Sequence, residues 1–172
     1  MGKRDLFIKI HKPMIELANE IPSSDKLILM GNHPNKLDSL LISSLSSDIT
    51  FVTNPDEKKS LLVKSLDCDL HSKNMGNLAN LYIALLENNV LCIFPEGEIN
   101  DSDELKPFMP GAMTLAVRSG AKIMPFAITG SYNIFKGDPL KINVGEPFIA
   151  NIKNTDVFEK VLKKRIIDLK KK

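Results

Sequence analysis

Short apolar runs alternate with stretches of helical periodicity along the chain, and this alternation constrains the fold more than any other feature. Runs typical of β-strands fall near residues 26–30, 49–53, 67–70, 90–94, 122–128 and 140–145. Stretches with helical spacing fall near residues 36–46, 56–65, 76–88, 110–119 and 155–169. Strands separated by such helices favour a mostly parallel central sheet covered by helices on both faces. We therefore expect an α/β protein that binds its ligands beyond the carboxyl ends of the strands.

The length of the chain fits one domain with one additional helix at its start. At 172 residues, of which 43% are hydrophobic, the chain can bury a proper core, and we expect a single domain over residues 1–172. An amphipathic helix is predicted over residues 5–18, interrupted at Pro13. Its apolar side comprises Leu6, Phe7, Ile10, Met14 and Leu17. That side either docks on the domain or contacts lipid.

Positive charge is concentrated in the last segment of the chain. Residues 160–172 contain seven Lys or Arg and one Asp, so this segment carries +6 and the rest carries −4 of the total of +2. We expect a basic C-terminal helix over residues 155–172 that is either simply solvated or in contact with an anionic membrane surface. A nucleic-acid partner is not expected. No run of about 18 apolar residues predicts a transmembrane helix, and no signal peptide is indicated.

Cysteine and histidine usage argues against disulfides and metal sites. Cys68 and Cys92 stand singly in apolar surroundings, which favours reduced core residues of a cytoplasmic protein over a disulfide, a metal pair or a nucleophile. The three histidines, His11, His33 and His71, lack the spacing of a zinc site.

A histidine and an aspartate five positions apart directly follow the apolar run of residues 27–30. On one continuous helix they would be turned about 140° from each other, so His33 must lie in a loop and Asp38 in the first helical turn if they interact. Pro34 biases His33 away from helical geometry, and Asn35 is a good N-cap. Asp38 would then orient the His33 ring as a general base. Alternatively, Asp38 only stabilises the helix start and His33 is an incidental loop residue.

Neither a serine nor a cysteine is obviously paired with this histidine, and Gly-x-Ser-x-Gly is absent. We therefore favour direct attack, assisted by a general base, over a covalent intermediate. A second apolar run ends in Phe94-Pro95-Glu96-Gly97. The segments 31–38 and 94–97 thus each follow a predicted strand, which is the position where α/β proteins usually carry their functional residues. Pro-Glu-Gly by itself is equally typical of a turn.

The segment Asn32-His33-x4-Asp38 resembles the first motif of the glycerolipid acyltransferase family, the 1-acylglycerol-3-phosphate acyltransferases and their relatives. Phe94-Pro95-Glu96-Gly97 is similar to the third motif of that family, and Ile123-Met124-Pro125-Phe126 is similar to the fourth. The resemblance covers roughly residues 24–150, and its specificity comes from the order and spacing of the segments.

The resemblance implies a glycerolipid acyltransferase-like fold and a reaction without cofactor or metal. The acyl group would pass from acyl-CoA or acyl carrier protein to a hydroxyl of a lysophospholipid such as 1-acylglycerol 3-phosphate. His33 would be the general base and Asp38 would hold its tautomer. The Phe94–Gly97 segment would hold the polar head of the acceptor through Glu96 and Gly97, and Pro125 would shape the acyl side of the pocket. We further expect peripheral binding at the inner membrane face, through the 5–18 helix and the basic tail.

Two departures from the family pattern concern the acceptor. His71 and Ile99 stand where the second and third motifs have arginines, so the resemblance implies that His71 is a substrate-binding residue. Neither side chain can offer the two-pronged contact that holds a phosphate. Candidate replacements are Lys36, Lys73 and Lys106. Nearby acids, namely Glu98, Asp101, Asp103 and Glu104, indicate either a less anionic acceptor or a solvated acidic loop.

Three alternatives to the leading hypothesis follow from these departures. The chain is a non-catalytic lipid-binding or acyl-CoA-binding member of the same fold, or it acylates an acceptor without a phosphate, or it is a hydrolase in which His33 and Asp38 activate water.

Overall fold

Five helices and eight strands make up the part of the chain that the structure describes. The structure is a computed structural model that describes residues 3–17, 21, 26–55, 63–72, 74, 76–87, 89–135, 137–151 and 153–172. The helices are α1 (Lys3–His11), α2 (Asp38–Ile42), α3 (Ala79–Leu86), α4 (Pro110–Arg118) and α5 (Thr155–Lys170). The strands are β1 (Met14–Leu17), β2 (Leu27–Gly31), β3 (Ile49–Thr53), β4 (Ser65–Asp67), β5 (Val90–Ile93), β6 (Lys122–Thr129), β7 (Lys141–Val144) and β8 (Phe148–Ile149).

All eight strands belong to one sheet. Its order is β1-β7-β6-β2-β5-β3-β4, and β8 pairs with β6. Strand β2 lies near the middle, parallel to both β5 and β6. Strand β6 runs antiparallel to β7 and β8, whereas the other pairs are parallel. The predicted mostly parallel sheet is therefore confirmed.

Helices cover both faces of this sheet because successive strand residues point to opposite sides. On β2, Ile28 and Met30 pack in a cluster with residues of α3, α4 and α5. Leu27 and Leu29 pack on the other face with residues of α1 and α2. Strand β2 is buried along its whole length, and the residues that follow it emerge at the carboxyl edge of the sheet.

The N-terminal helix is shorter than predicted. Helix α1 ends at His11, Lys12 has a left-handed φ of 43°, and Pro13 lacks the N–H that a helix interior requires. The chain then forms β1, which pairs in parallel with β7. The prediction of one helix over residues 5–18 is therefore wrong beyond His11, because the proline ends the helix and β7 offers the following backbone its hydrogen-bonding partners.

The apolar side predicted for this helix is also divided. Phe7 is buried, whereas Leu6 and Ile10 are exposed. Leu6 and Ile10 lie one turn apart, so they share a side of α1 that differs from the side of Phe7. One side of α1 therefore docks on the protein and another faces outwards.

Other element boundaries differ from the predictions as well. The helix predicted over residues 36–46 is reduced to α2, which is flanked by turns. The helix predicted over residues 56–65 lies mostly outside the described residues, and Ser65 already belongs to β4. The strand predicted at residues 67–70 begins and ends earlier, because Ser65–Asp67 is the segment that pairs with β3.

The C-terminal helix forms as predicted and ends at Lys170. The Asn154 side chain accepts hydrogen bonds from the backbone N–H groups of Asp156 and Val157, which are two of the unpaired donors at the helix start. Phe158 and Ile166 are buried on the side of α5 that faces the sheet. Within the described residues, no helix has both the length and the apolar character needed to cross a bilayer.

Candidate active site

The end of β2 sets the position of the site. Asn32 follows this strand and is buried. Its side chain donates to the carbonyl of Ile128 at 2.8 Å and accepts from the N–H of the same residue at 2.7 Å. Through these two bonds, the Asn32 side chain continues the pairing of β2 with β6 beyond the end of β2. Asn32 therefore fixes the point at which the chain leaves the sheet, and His33 is the next residue.

His33 and Asp38 form the pair that their spacing predicts. Nδ1 of His33 lies 2.8 Å from Oδ2 of Asp38, and the same oxygen accepts the Asn35 N–H at 2.7 Å. The Asp38 side chain is fully buried, whereas 18% of the His33 side chain remains exposed. One carboxylate therefore contacts the imidazole and also stabilises the turn before α2, so the contacts expected from both interpretations are present together.

The helix start differs in detail from the prediction. Asn35 Oδ1 accepts the Leu37 N–H at 3.1 Å, as expected of a capping residue, but the three residues from Asn35 to Leu37 form a turn. Helix α2 begins at Asp38 because the Asp38 N–H bonds to the Asn35 carbonyl at 3.0 Å, a spacing of three residues rather than four. This turn brings the Asp38 side chain back towards His33.

Two contacts from the segment after β5 hold His33 in place. The Phe94 ring stacks on the imidazole with centroids 4.0 Å apart and planes 13° apart. The backbone N–H of Asn100 donates to the His33 carbonyl at 2.8 Å. Among the described residues, none is hydrogen-bonded to Nε2 of His33. An imidazole that directs Nδ1 at a carboxylate in this way can take up a proton at Nε2.

Tyr132 is a member of this site that the sequence analysis missed. Its hydroxyl donates to Oδ1 of Asp38 at 2.5 Å. Burial, followed by the charge and hydrogen bond of Asp38, raises the pKa of Tyr132 far above its ordinary value, so the phenol keeps its proton. A signal was available, because Tyr132 follows β6 and the carboxyl ends of β6 and β2 lie at the same edge of the sheet.

A cavity of about 320 Å³ opens beside His33. Its apolar walls are formed by Phe51, Val52, Val63, Leu70, Phe94, Ile99 and Met109. Polar or charged groups on its lining belong to Lys36, Ser39, Thr53, Asn54, Ser65, Cys68 and Glu98. The site therefore combines an imidazole held by a buried carboxylate with a largely apolar cleft.

The Phe94–Gly97 segment divides between this cavity and the interior. Phe94 and Gly97 line the cavity. Pro95 and Glu96 are buried and do not belong to the described lining. The cavity therefore receives the ring of Phe94 and the backbone turn at Gly97, which has a left-handed φ of 74°.

The Glu96 carboxylate binds both ends of the loop from Asn100 to Lys106. Its Oε2 accepts the side-chain amide of Asn100 at 2.6 Å and the backbone N–H of Lys106 at 2.8 Å. Its Oε1 is buried without a hydrogen-bond partner among the described residues. Glu96 was expected where an acceptor head is held, but a buried carboxylate needs donors, and the loop from Asn100 to Lys106 supplies them.

The charges near the cavity largely cancel. Lys106 Nζ lies 2.9 Å from Oε1 of Glu98, which itself lines the cavity. Ile99, where the resemblance would place an arginine, lines the cavity with half of its surface exposed. Lys36 also lines the cavity and makes no ion pair with a described residue. Lys73 lies outside the described residues.

Two predicted site residues lie elsewhere. His71 is exposed, its backbone N–H bonds to Asp69 at 2.9 Å, and it is not among the described lining residues. Pro125 is buried inside β6, opposite Met30, and is also absent from the described lining. The Pro125 carbonyl accepts the Gly145 N–H at 2.8 Å, between the paired segments of β7 and β8, where the register against β6 changes. Pro125 therefore shapes the sheet.

Both cysteines are free and buried, as the sequence predicts. Burial and the neighbouring Asp69 raise the pKa of Cys68, whose thiol lies 3.1 Å from the Asn77 carbonyl and donates to it. Burial and then the charge of Asp38 raise the pKa of Cys92. A protonated thiol is a poor nucleophile, so neither cysteine is suited to covalent catalysis.

Known proteins resemble this chain in both sequence and structure. A family model described as Acyltransferase matches residues 12–129. A probable 1-acyl-sn-glycerol-3-phosphate acyltransferase of Mycoplasma genitalium is 24% identical over 171 residues, covering 91% of this chain and 63% of that protein. The 1-acyl-sn-glycerol-3-phosphate acyltransferase of Haemophilus influenzae is 27% identical over 137 residues, covering 69% of this chain and 56% of that protein. The chain thus spans less than two thirds of the length of either relative.

Among solved structures, the 1-acyl-sn-glycerophosphate (LPA) acyltransferase PlsC from Thermotoga maritima matches with a TM-score of 0.66 and 17% identity, covering 98% of this chain and 81% of that one. This likeness confirms the predicted fold. Because the family model also matches more than half of the residues, the chain belongs to the acyltransferase family.

Proposed function

We propose that this chain transfers a fatty acyl group from acyl-CoA or acyl carrier protein to a hydroxyl of a lysophospholipid, such as 1-acylglycerol 3-phosphate. One observation carries the proposal. The imidazole of His33 is bonded through Nδ1 to the buried Asp38 carboxylate at 2.8 Å and lines a cavity large enough for part of a lipid substrate.

The chemistry follows from this geometry. The acceptor hydroxyl gives its proton to Nε2 of His33 while its oxygen attacks the thioester carbonyl carbon. Asp38 stabilises the imidazolium that forms. The tetrahedral intermediate then expels the thiolate by breaking the carbon–sulfur bond, and the imidazolium returns the proton to that sulfur. Every proton is accounted for without an acyl-enzyme intermediate.

The cavity supplies separate surroundings for the two ends of such a substrate. Its apolar side, which includes Phe51, Val52 and Met109, suits the hydrocarbon of an acyl chain. Its polar positions, which include Lys36 and Ser39, suit the glycerol part. Both positions belong to the same short stretch of chain as His33, so an acceptor held there would present its hydroxyl near the base.

Lys36 is our candidate for the contact with an acceptor phosphate. It lines the cavity and makes no ion pair with a described residue, whereas Lys106 is engaged by Glu98. In a 1-acylglycerol 3-phosphate, the phosphate sits on the carbon next to the one that carries the reacting hydroxyl. A cation that holds it must therefore lie near the base, and Lys36 is three positions from His33.

The same charges support a second acceptor class. With Ile99 and Glu98 on the lining, one wall offers an apolar side chain and a carboxylate where a phosphate would need cations. An acceptor hydroxyl on a lipid without a phosphate would meet no repulsion there. The acceptor assay must therefore distinguish acylation of a lipid without a phosphate from acylation of a phosphate-bearing lysolipid.

A membrane surface would supply the lysophospholipid acceptor, and we include anionic lipid among the proposed partners. Leu6 and Ile10 are exposed on the outer side of α1, beside the exposed Lys9 and Lys12, and Phe135 is 88% exposed. Apolar anchors combined with lysines worth about 1 kcal/mol each near anionic lipid give reversible binding. Sedimentation with anionic and with neutral vesicles measures it, and replacement of Leu6 and Ile10 by Ser should weaken it.

The test of function is acyl transfer by the purified protein with long-chain acyl-CoA or acyl carrier protein and a panel of acceptors with and without phosphate. Product lipid is identified by mass spectrometry and released thiol is counted. The variant His33→Ala should lose activity by about 10²–10⁴-fold, the contribution of a general base. The matched control is His71→Ala, because His71 is exposed and lies off the described cavity lining.

The possible results of this assay distinguish the proposed acyl transfer from the alternatives. Full activity of His33→Ala would refute the mechanism. Vesicle or acyl-CoA binding without turnover on any acceptor would instead favour a non-catalytic lipid-binding protein, and release of free fatty acid without acceptor acylation would favour a hydrolase.

A further inference from the structure

We propose that Tyr132 is a positioning residue of this site, which holds the Asp38 carboxylate in the orientation that directs it at His33. The inference rests on the proposed role of His33 as general base. Tyr132 is 94 residues away from Asp38 in sequence and does not belong to the described cavity lining, so it would act through Asp38 and not by touching substrate.

The two oxygens of Asp38 are held by different donors. Oδ2 accepts the Asn35 N–H and faces Nδ1 of His33. Oδ1 accepts the Tyr132 hydroxyl, and no other described donor reaches it. Solvent does not reach a carboxylate buried as completely as this one, so loss of the donor to either oxygen would cost free energy. The phenol is therefore the group that prevents the carboxylate from turning Oδ1 towards the donors of Oδ2.

The ring of Tyr132 is itself held by α1. The centroid of the Phe7 ring lies 6.1 Å from that of Tyr132 with the planes tilted by 44°, and the His11 ring meets Tyr132 edge-on at 5.8 Å. These ring contacts restrict the movement of the phenol. Helix α1, which none of the sequence motifs includes, therefore supports the base indirectly.

The backbone before Tyr132 is also constrained. Gly130 has a left-handed φ of 81°, and a Cβ there would lie 2.0 Å from the carbonyl oxygen of Pro139. The next residue, Ser131, donates its N–H to the Asp138 carbonyl at 2.9 Å. The turn after β6 is thus closed by its own backbone, which directs the Tyr132 side chain to Asp38. The raised pKa of Tyr132 keeps the hydroxyl a donor throughout the working pH range.

Replacement of Tyr132 by phenylalanine removes only the hydroxyl and keeps the ring against Phe7 and His11. We expect kcat to fall on the order of 10-fold, which is typical when a group that orients a reacting side chain is lost. KM for both substrates should stay unchanged because Tyr132 does not line the cavity. The matched control is Tyr82→Phe, since the Tyr82 hydroxyl is buried without a partner among the described residues.

Two further measurements separate positioning from general stability. In proton NMR, the Nδ1–H resonance of His33 should move upfield and exchange faster with water in Tyr132→Phe, and should not change in Tyr82→Phe. Because the chain has two tyrosines, biosynthetic fluorotyrosine in the Tyr82→Phe background labels position 132 alone. Fluorotyrosine retains the O–H donor, so it should keep the kcat that phenylalanine loses.

The outcomes are distinct for the two proposals. If Tyr132→Phe keeps wild-type kcat and an unchanged Nδ1–H resonance while His33→Ala is inactive, the positioning role is refuted and the proposed function stands. If fluorotyrosine and phenylalanine lower kcat equally, the O–H bond is not the cause and the inference fails. Full activity of His33→Ala would instead remove the proposed function itself.

Discussion

The candidate site has two sides that are built differently. We call them the base side, which comprises His33, Asp38 and Tyr132, and the acceptor side, after the roles proposed for them. On the base side, Asp38 receives three hydrogen bonds, from His33, Asn35 and Tyr132, and Phe94 stacks on the imidazole. On the acceptor side, which we define as residues 96–106, Glu96 turns inwards, Glu98 pairs with Lys106, and Ile99 presents an apolar side chain to the cavity.

The difference shows which part of such a site depends on the sheet. The base side uses residues in the segments that follow β2 and β6, so its geometry follows from the backbone of the fold. The acceptor side lies on a loop, and its exposed side chains Glu98 and Ile99 can be replaced without disturbing the core. The proposed chemistry therefore depends on the backbone of the fold, whereas the proposed acceptor contacts depend on exposed side chains of a loop.

The largest expected effect belongs to the base side. Replacement of Asp38 by asparagine keeps the volume but removes the acceptor that fixes the imidazole tautomer, and kcat should fall by about 10³-fold or more. Acyl transfer to the best acceptor of the panel measures it. The control is Asp48→Asn, because Asp48 is exposed and lies shortly after α2. A loss below about 3-fold would show that the carboxylate only caps the helix.

Glu96 tests whether the acceptor side uses its carboxylate structurally. The variant Glu96→Ala removes the acceptor of the Lys106 N–H and one of the two acceptors of the Asn100 amide, so the free energy of unfolding should fall by about 2 kcal/mol. The variant Glu96→Gln keeps one acceptor oxygen for both donors, and its activity should stay near wild type. Denaturant titration and the transfer assay measure the pair. A folded Glu96→Gln protein as inactive as Asp38→Asn would contradict the comparison, because the charge would then serve the reaction.

Lys36 tests the acceptor class. Removal of its charge in Lys36→Gln should lower kcat/KM by about 10-fold for a phosphate-bearing acceptor, because a charge-assisted hydrogen bond is lost, and should leave a phosphate-free acceptor unaffected. Adding Ile99→Arg to that variant places a cation on the same cavity lining and should restore the loss. Equal behaviour of both acceptors in all three proteins would show that the phosphate is not recognised here.

Phe94 is expected to have the smallest effect of the four. Leucine at this position keeps an apolar side chain but loses the stacking on His33, an interaction worth about 0.5–1.5 kcal/mol. The rate should therefore fall by only a few-fold, with no change in acceptor preference. The ratio of kcat/KM values for two acceptors checks this. A changed ratio would place Phe94 on the acceptor side.

Local patterns account for what the sequence predicts well. The alternation of strands and helices defines the sheet class, because its periods depend only on neighbouring residues. The pair His33 and Asp38 is likewise local, since Pro34 and a five-residue spacing exclude a single helix. The structure adds the detail that a turn precedes α2.

The features that the sequence does not predict depend on distant partners. Tyr132 reaches Asp38 across 94 residues, and Glu96 turns inwards because Asn100 and Lys106 provide donors. The segment Met14–Leu17 has helical spacing but becomes β1 because β7 is beside it. The periodicity of the sequence does not show which distant residues meet, although the strand order alone would have placed Tyr132 near the site.

A double-mutant cycle on His33 and Asp38 tests the central claim most directly. Acyl transfer is measured for the wild type, His33→Ala, Asp38→Asn and the double variant under identical conditions. Since Asp38 is proposed to act through the imidazole, the double variant should be no slower than His33→Ala alone. Losses that multiply in the double variant would show that the two residues act independently and would contradict the account.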